Sequence, residues 1–158
     1  MRAIETRYKG RLFRSRLEAR YAVLFDALHI EWDYEPEGFE FDDGMRYLPD
    51  FWLKDRKQPL QGGWVEVKGQ TPMPQEVLRM RLLANASRHF GAILCGSPER
   101  VEVYLFEPDS AHEVLLTRDK SDPLGVFLCR LNAYNDFREY NDALVRALSA
   151  RFEFGGRA

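Results

Sequence analysis

The chain begins with a short extended segment followed by an amphipathic helix. Residues 7–15 contain a turn signal at Gly10, and residues 17–28 place apolar side chains at the 3, 4 and 7 spacings of one helix face. Those side chains are Leu17, Tyr21, Leu24, Phe25 and Leu28. Ser15 is positioned to cap this helix, and Glu18 stands three residues later, which is the spacing of a capping box.

A period of two replaces the helical spacing after residue 30. Residues 31–43 alternate acids with aromatic side chains and are interrupted at Pro36, which predicts two short strands. The segments RYLPDFWLKD (46–55) and WVEVKG (64–69) predict two more strands, separated by a loop. The chain up to residue 69 is therefore predicted to be one helix followed by three or four strands.

The second half alternates between the two periods. Residues 75–90 predict a helix that begins after two prolines and ends at Gly91, and AILCG (92–96) predicts a buried strand parallel to WVEVKG. Three further segments predict strands, and the last apolar pattern predicts a C-terminal amphipathic helix. These segments are VEVYLFE (101–107), HEVLLT (112–117), GVFLCRL (125–131) and, for the helix, residues 134–152. The order predicts an α/β fold with a mixed sheet.

Composition is that of a globular protein. The chain has 158 residues, 45% hydrophobic and 30% charged, which is consistent with a single domain. No apolar run is long enough for a membrane span and no signal peptide is evident, so a cytoplasmic location without membrane contact is expected. Cys95 and Cys129 lie in apolar surroundings and are predicted to be buried thiols without a disulfide. The three histidines show no metal-ligand spacing.

Charge is distributed unevenly although the net charge is only −2. Residues 31–50 hold eight acids against one base, Arg46. Residues 1–20 hold seven basic groups against two acids, and the basic groups are Arg2, Arg7, Lys9, Arg11, Arg14, Arg16 and Arg20. A basic segment beside an acidic one is typical of a site for a polyanion and a cation, and it also occurs on ordinary charged surfaces.

Three carboxylates of the predicted elements are candidates for one site. Asp50 follows Pro49 at the start of an apolar strand, where an aspartate is poorly suited. Glu66 lies in the next strand, and antiparallel pairing would bring it within about 5 Å of Asp50. Glu18 lies on the flank of the packing face of the first helix. Converging carboxylates repel one another and lose hydration, and a divalent cation relieves both penalties.

The types of these residues indicate the chemistry. Oxygen ligands without histidine or cysteine favour Mg²⁺ or Mn²⁺, which polarises a phosphoryl oxygen and activates water. Glu66 and Lys68 share one face of their strand because they are two residues apart. The ammonium of Lys68 would orient the attacking water or stabilise developing charge. A solvated surface ion pair explains the same two residues without any chemistry.

Two motifs resemble a known family. Leu48-Pro49-Asp50, followed after sixteen residues by Glu66-Val67-Lys68, resembles the signature of the PD-(D/E)XK nuclease superfamily. FRSRLEARYAVLFDAL (13–28) is similar to the first helix of the phage and transposon-associated branch, which includes junction-resolving and transposon-end nucleases. The resemblance covers residues 11–96. It implies a restriction-endonuclease-like αβββαβ core within one domain over 1–158, whose C-terminal extension, 97–158, adds strands and a helix.

The resemblance implies roles for particular residues. Asp50 and Glu66 would bind Mg²⁺ or Mn²⁺ with the Val67 carbonyl, Glu18 would complete the site or bridge a second ion, and Lys68 would position the water. Capping by Ser15 explains Glu18 equally well, and Asp50 has the alternative of an ordinary turn acid.

DNA is the partner that the resemblance implies, and many members of this branch act as dimers, so a homodimer is a further expectation. Gln70 is a candidate contact to substrate or water. Tyr47 and Trp52 are candidates for base stacking, with core packing favoured for Trp52. Phosphate contacts are expected from Arg14, Arg16 and Arg20.

Three functions are compatible with these patterns. The first is a metal-dependent DNA endonuclease (deoxyribonuclease) that hydrolyses phosphodiester bonds, acting on branched, phage or mobile-element DNA. The second is a nuclease-derived module that binds DNA or a protein with little or no cleavage, which the near-neutral net charge favours modestly. The third is a structural phage or mobile-element component that uses the fold only for assembly. The C-terminal helix could then be an interaction surface, although core packing is the default explanation of its apolar residues.

Overall fold

The computed structural model describes residues 3–152 and contains, within them, ten strands and four helices. In chain order these are β1 (Thr6–Tyr8), β2 (Arg11–Phe13), α1 (Arg16–Ala27), β3 (Trp32–Tyr34), β4 (Phe39–Glu40), β5 (Arg46–Tyr47), β6 (Phe51–Lys54), β7 (Gly62–Lys68), α2 (Pro74–Ser87), β8 (Phe90–Cys95), β9 (Glu102–Phe106), β10 (Val114–Leu116), α3 (Pro123–Arg130) and α4 (Phe137–Ser149).

The central sheet has six strands in the order β10-β9-β8-β7-β6-β3. β7 and β8 are parallel and are joined by α2, whereas every other neighbouring pair in this sheet is antiparallel. The succession α1, β3, β6, β7, α2, β8 therefore has the predicted αβββαβ order, and the C-terminal extension adds two strands and two helices. The predicted α/β class with a mixed sheet flanked by helices is confirmed.

Two separate apolar clusters cover the faces of this sheet. The larger cluster joins α1, α3 and α4 to one face through residues such as Tyr21, Phe25 and Phe51, which are fully buried. The smaller cluster joins α2 to the other face through Trp64, Met80 and neighbouring side chains. Since side chains alternate between faces, neighbouring residues of β6 and β7 belong to different clusters.

Two hairpins lie outside the central sheet. β1 pairs with β2 across a turn in which Gly10 has φ +75°, as the turn signal predicted. β4 pairs with β5 across the turn at 42–44. The predicted strand over 46–55 is thus divided into β5 and β6, because residues 48–50 leave the strand conformation before β6 begins.

The segment GVFLCRL is a helix, and its prediction as a strand was wrong. Pro123 occupies the first turn of α3, and the side chains of Leu124, Phe127 and Leu128 are fully buried at helical spacing. A short apolar run does not distinguish a buried strand from a buried helix. Cys129 lies on the outer side of α3 and is exposed, so the prediction of a buried thiol is also wrong for this residue.

Other predicted boundaries shift by a few residues. α2 ends at Ser87 because Arg88 takes the left-handed conformation, φ +64°, and Phe90 already begins β8. Cys95 is partly exposed, and both cysteines are free. Among the described residues, no helix combines the length and apolar composition that crossing a bilayer requires.

Candidate metal-binding acidic site

Asp50 directly precedes β6 and its carboxylate is buried, with 3% of the residue exposed. In the β6–β7 pairing Phe51 faces Val65, and the same register continued places Asp50 opposite Glu66 and Pro49 opposite Val67. Proline has no N–H for the ladder. The Asp50 carboxylate instead accepts the bond from the Val67 N–H, at 2.8 Å.

The pairing of β6 with β7 also orients the Val67 carbonyl. The N–H and C=O groups of one strand residue point to the same side of the strand, and the Val67 N–H points to the Asp50 carboxylate. The Val67 carbonyl therefore points to the same side, and the residue opposite it is a proline without a donor.

Three carboxylates converge beside the first helix. Oxygen atoms of Glu18, Glu35 and Asp50 lie within 4.8 Å of one another, and we call these three residues the acidic trio. Glu18 and Asp50 are buried, and Glu35 is partly buried. Glu66 was expected in this group, but among the described residues the carboxylates that meet are those of Glu18, Glu35 and Asp50.

Glu18 is held by two hydroxyl groups. Its backbone N–H donates to Ser15 Oγ at 3.1 Å, so the predicted N-cap is present, and Ser15 Oγ donates to Glu18 Oε1 at 2.8 Å. The hydroxyl of Tyr34 donates to Glu18 Oε2 at 2.5 Å. The carboxylate thus bonds the cap residue's hydroxyl rather than its backbone N–H, and it contributes to the acidic trio at the same time.

Glu35 was not identified from the sequence as a site residue. It directly follows β3 and has φ +47°, a conformation that is uncommon for a residue with a side chain. Its N–H donates to the Asp50 carbonyl at 2.7 Å, which fixes Glu35 beside Asp50. The break that Pro36 makes after an acidic strand was visible, but the left-handed turn that brings Glu35 back to Asp50 was not.

Arg14 supplies positive charge to the acidic trio. Its Nη2 atom lies 2.5 Å from Glu35 Oε1 and 3.3 Å from Asp50 Oδ1, and its backbone N–H donates to the Tyr34 hydroxyl at 3.1 Å. The side chain of Arg14 is nevertheless 60% exposed. A predicted phosphate contact is therefore engaged with carboxylates in this structure.

A second charged group lies on the α2 side of the sheet. Lys68 Nζ is 3.5 Å from Glu66 Oε2, as the i, i+2 spacing predicted, and it also contacts Glu76 Oε2 in the first turn of α2. The Tyr47 hydroxyl donates to Glu66 Oε1 at 3.2 Å. Glu76 was not identified from the sequence, because a glutamate in the first turn of a helix is common for capping and dipole reasons alone.

Asp50 connects the two groups electrostatically. Burial raises the pKa of its carboxyl well above the ordinary value, and the charges of Glu66 and then Glu18 raise it further. Burial also raises the pKa of Glu66, against the opposing effect of Lys68. Burial would lower the pKa of Lys68, but its contacts with Glu76 and Glu66 raise it overall. Burial and the neighbouring carboxylates of Glu66 and Glu18 thus act on the pKa of Asp50 in the same direction.

The remaining predicted contact residues occupy different places. Arg20 donates from Nη1 to backbone carbonyls at the C-terminal end of α4, including that of Ala147 at 2.6 Å, and so caps that helix. Arg16 and Gln70 are exposed, at the start of α1 and just after β7. Trp52 packs against Trp64 with ring centroids 4.7 Å apart, which agrees with the packing role favoured for it.

The donor set fits a hard divalent cation. All side-chain donors of the acidic trio are carboxylate oxygens, two of the three residues are buried, and a guanidinium already lies against two of them as a cation. Mg²⁺ and Mn²⁺ prefer such oxygen ligands. The arrangement can hold a divalent ion at Asp50 with an ammonium group on the neighbouring strand.

The chain matches no protein-family model, and no curated protein matches it. It is similar to the crystal structure of a "putative nuclease belonging to DUF820" from Anabaena variabilis ATCC 29413, with a TM-score of 0.44 and 12% identity over 89% of this chain and 90% of that one.

Proposed function

We propose that the protein is a metal-dependent DNA endonuclease of the PD-(D/E)XK kind, hydrolysing phosphodiester bonds with Mg²⁺ or Mn²⁺. The observation that supports this most is the position of Asp50. Its buried carboxylate belongs to the acidic trio and also interacts electrostatically with Glu66, and its pKa is raised by burial first and then by the negative charge of Glu66 and Glu18. That charge favours a divalent cation.

The roles of the residues follow from their contacts. Asp50, Glu18 and Glu35 would hold the ion through their carboxylates, Glu66 would contribute from the facing strand, and the Val67 carbonyl would be a further donor. A bound divalent ion supplies Lewis-acid assistance to attack on a phosphodiester. Glu35 enters this set from the structure alone.

Lys68 is the residue that positions the attacking water in this proposal. The carboxylates of Glu66 and Glu76 both contact its ammonium, so the direction of the ammonium is fixed before substrate binds. A fixed ammonium stabilises charge that develops on phosphoryl oxygens without reorganising during the reaction.

Substrate and assembly are proposed on the resemblance to the phage and transposon-associated branch. Branched DNA is the first substrate to assay, and two copies of the chain would account for cutting both strands. Arg14, Arg16 and Gln70 are retained as proposed DNA contacts, whereas Arg20 is left out because it caps α4. A cytoplasmic location is part of the same proposal.

The test is cleavage of plasmid, linear duplex and branched DNA with Mg²⁺, with Mn²⁺ and with chelator. We expect metal-dependent nicking or cutting that Asp50→Ala and Lys68→Ala abolish while circular dichroism shows the fold retained. Lys54→Ala is the matched control, because Lys54 lies at the other end of β6 and pairs with Glu31. A folded protein that cuts none of these substrates contradicts the proposal.

A binding module without cleavage is the second candidate. The observation that favours it is the neutralisation of Glu35 and Asp50 by Arg14, which lets the acidic trio exist without a metal. Calorimetric titration with Mn²⁺ separates the two functions. Uptake that Asp50→Ala removes supports the nuclease, and DNA binding without such uptake supports the module.

A further inference from the structure

Arg14 has the contacts of an exchangeable cation. The residue lies between β2 and the Ser15 cap of α1, and the bond from its N–H to the Tyr34 hydroxyl fixes its backbone. The guanidinium extends from this fixed point to Glu35 and Asp50, while 60% of the side chain faces solvent. Because the backbone is held separately, the guanidinium can leave the carboxylates without disturbing the helix.

A guanidinium and a divalent ion compete for these carboxylates. Each relieves the same repulsion among the carboxylates of the acidic trio, and each uses the same oxygen lone pairs of Glu35 and Asp50. An ion that binds there has to displace Arg14 or accept a positive neighbour at close range. Either outcome weakens binding of the ion while Arg14 remains in place.

Phosphate groups of a nucleic acid are the natural alternative partner for Arg14. A guanidinium binds phosphate by paired hydrogen bonds, and exposed arginines of this type position nucleic-acid backbones. Lys68 does not have this freedom, because Glu66 and Glu76 hold its ammonium from two sides. Of the cations in contact with these acids, Arg14 is therefore the one suited to leave.

We propose that Arg14 couples nucleic-acid binding to metal binding: it neutralises Glu35 and Asp50 in the free protein, and backbone phosphate draws it away so that a divalent ion can enter. The proposal rests on the proposed function, since it takes the acidic trio as the metal site. Coupling between two ligands is reciprocal, so the metal also strengthens binding of the nucleic acid. The free protein then binds the metal ion weakly, and the protein bound to DNA binds it tightly enough for cleavage.

The experiment is Mn²⁺ titration by calorimetry, with and without a short DNA duplex, in a Lys68→Ala background that prevents cleavage. Arg14→Gln should bind Mn²⁺ about five- to a hundredfold more tightly than its parent in the absence of DNA. With saturating duplex the two proteins should bind Mn²⁺ equally. DNA should therefore increase the Mn²⁺ affinity of Arg14→Gln less than that of its parent. The difference should equal the factor by which Arg14→Gln binds Mn²⁺ more tightly than its parent without DNA.

Arg11→Gln is the matched control, because it removes an exposed arginine of the same segment whose guanidinium lies over the Trp32 ring. It should show the parental affinities and the parental coupling. Asp50→Ala identifies the site by abolishing the tight Mn²⁺ signal. Asp50-dependent binding that Arg14→Gln leaves unchanged overturns the coupling and keeps the proposed function. Absence of any Asp50-dependent binding overturns both.

Discussion

The Lys68 ammonium contacts the Glu76 carboxylate, although β7 and α2 are separated by a five-residue connection. The other oxygen of that carboxylate accepts a bond from the Met73 N–H at 2.8 Å, so Glu76 is fixed to the start of α2. Lys68 is thereby held on two sides, with Glu66 3.5 Å away. The direction of the ammonium depends on a helix that lies outside the segments 48–50 and 66–68.

We predict that Glu76→Gln slows DNA cleavage and leaves DNA affinity unchanged. The amide oxygen can still accept from the Met73 N–H, but the negative partner of Lys68 is lost and the ammonium turns fully to Glu66. A misdirected catalytic group lowers kcat rather than substrate binding, and we expect a loss on the order of tenfold. Single-turnover kinetics together with DNA titration measure the two quantities separately.

Glu113→Gln is the control for this substitution. It removes another ion pair of α2, that between Glu113 and Arg81, without affecting a contact of Lys68. Its cleavage rate should equal that of the wild type. Equal rates for Glu76→Gln and the wild type would remove Glu76 from the description of the site.

The buried carboxyl of Asp50 should make the metal-free protein less stable as the pH rises. Its pKa in the folded state is raised, so its stabilising contribution is present at acidic pH and is lost as the pH rises through the folded pKa. Asn stays neutral and its oxygen can still accept from the Val67 N–H. We predict that Asp50→Asn raises the free energy of unfolding at pH 8, by about 1 kcal/mol or more, and raises it less at pH 4.5.

Asp55, just beyond the other end of β6, provides a comparison of opposite sign. Burial would raise the pKa of its carboxyl, but bonds from the Asn132 side chain and from the backbone N–H groups of Lys57 and Gln58 lower it overall. Its ionised form therefore stabilises the fold above the unfolded pKa. Asp55→Asn should destabilise the protein at pH 8. Urea unfolding with chelator present measures both variants, and a destabilised Asp50→Asn at pH 8 would contradict the assignment.

The Tyr34 hydroxyl orients Glu18, and its removal should affect both stability and metal binding. Tyr34→Phe deprives Glu18 Oε2 of a donor and leaves the Arg14 N–H without this acceptor, at a cost of about 1–3 kcal/mol. Loss of an orienting bond to a ligand typically weakens metal binding 10- to 100-fold. Urea unfolding and Mn²⁺ titration measure the two effects.

Tyr8→Phe is the control that separates the effect on stability from the effect on metal binding. The Tyr8 hydroxyl also donates to a carboxylate, that of Asp26 at 2.6 Å, but Asp26 keeps bonds to Trp32 and Lys9 and is not in the acidic trio. Tyr8→Phe should lower stability modestly and leave Mn²⁺ affinity unchanged. If both variants weaken Mn²⁺ binding equally, Tyr34 has no specific role at the site.

Much of the architecture follows from local patterns in the sequence. Helical spacing predicted α1 within one residue at each end, and alternation predicted β3, β6 and β7. The facing of Phe51 with Val65 then aligns Asp50 with Glu66, so this pairing is a consequence of two patterns that can be seen in the chain. The same patterns predicted a helix, three or four strands, a second helix and a further strand in this order, and the resemblance implied the αβββαβ arrangement.

Contacts set by loops and by helix packing were not predictable in this way. Glu35 joins Asp50 through one left-handed residue before a proline, and Glu76 reaches Lys68 through the angle at which α2 leaves the sheet. The chain gives no periodic signal for either contact. The same holds for Arg20, which looked like a phosphate contact in a basic segment and is bound to the end of α4, 127 residues away from it at Ala147.

Arg20 and Arg16 should therefore behave differently when replaced by methionine, which keeps an apolar stem. Arg20→Met removes charged hydrogen bonds to the carbonyls of Ala147, Leu148 and Ala150, so the free energy of unfolding should fall by about 1–3 kcal/mol. Its DNA affinity should keep the salt dependence of the wild type.

Arg16 is exposed at the start of α1, near Glu18. Arg16→Met should reduce the slope of log affinity against log salt by about 1, as expected for one lost phosphate contact. Fluorescence anisotropy at several salt concentrations measures the slopes. A reduced slope for Arg20→Met would return Arg20 to the DNA-binding surface, because a residue that only caps α4 cannot change the number of phosphates neutralised.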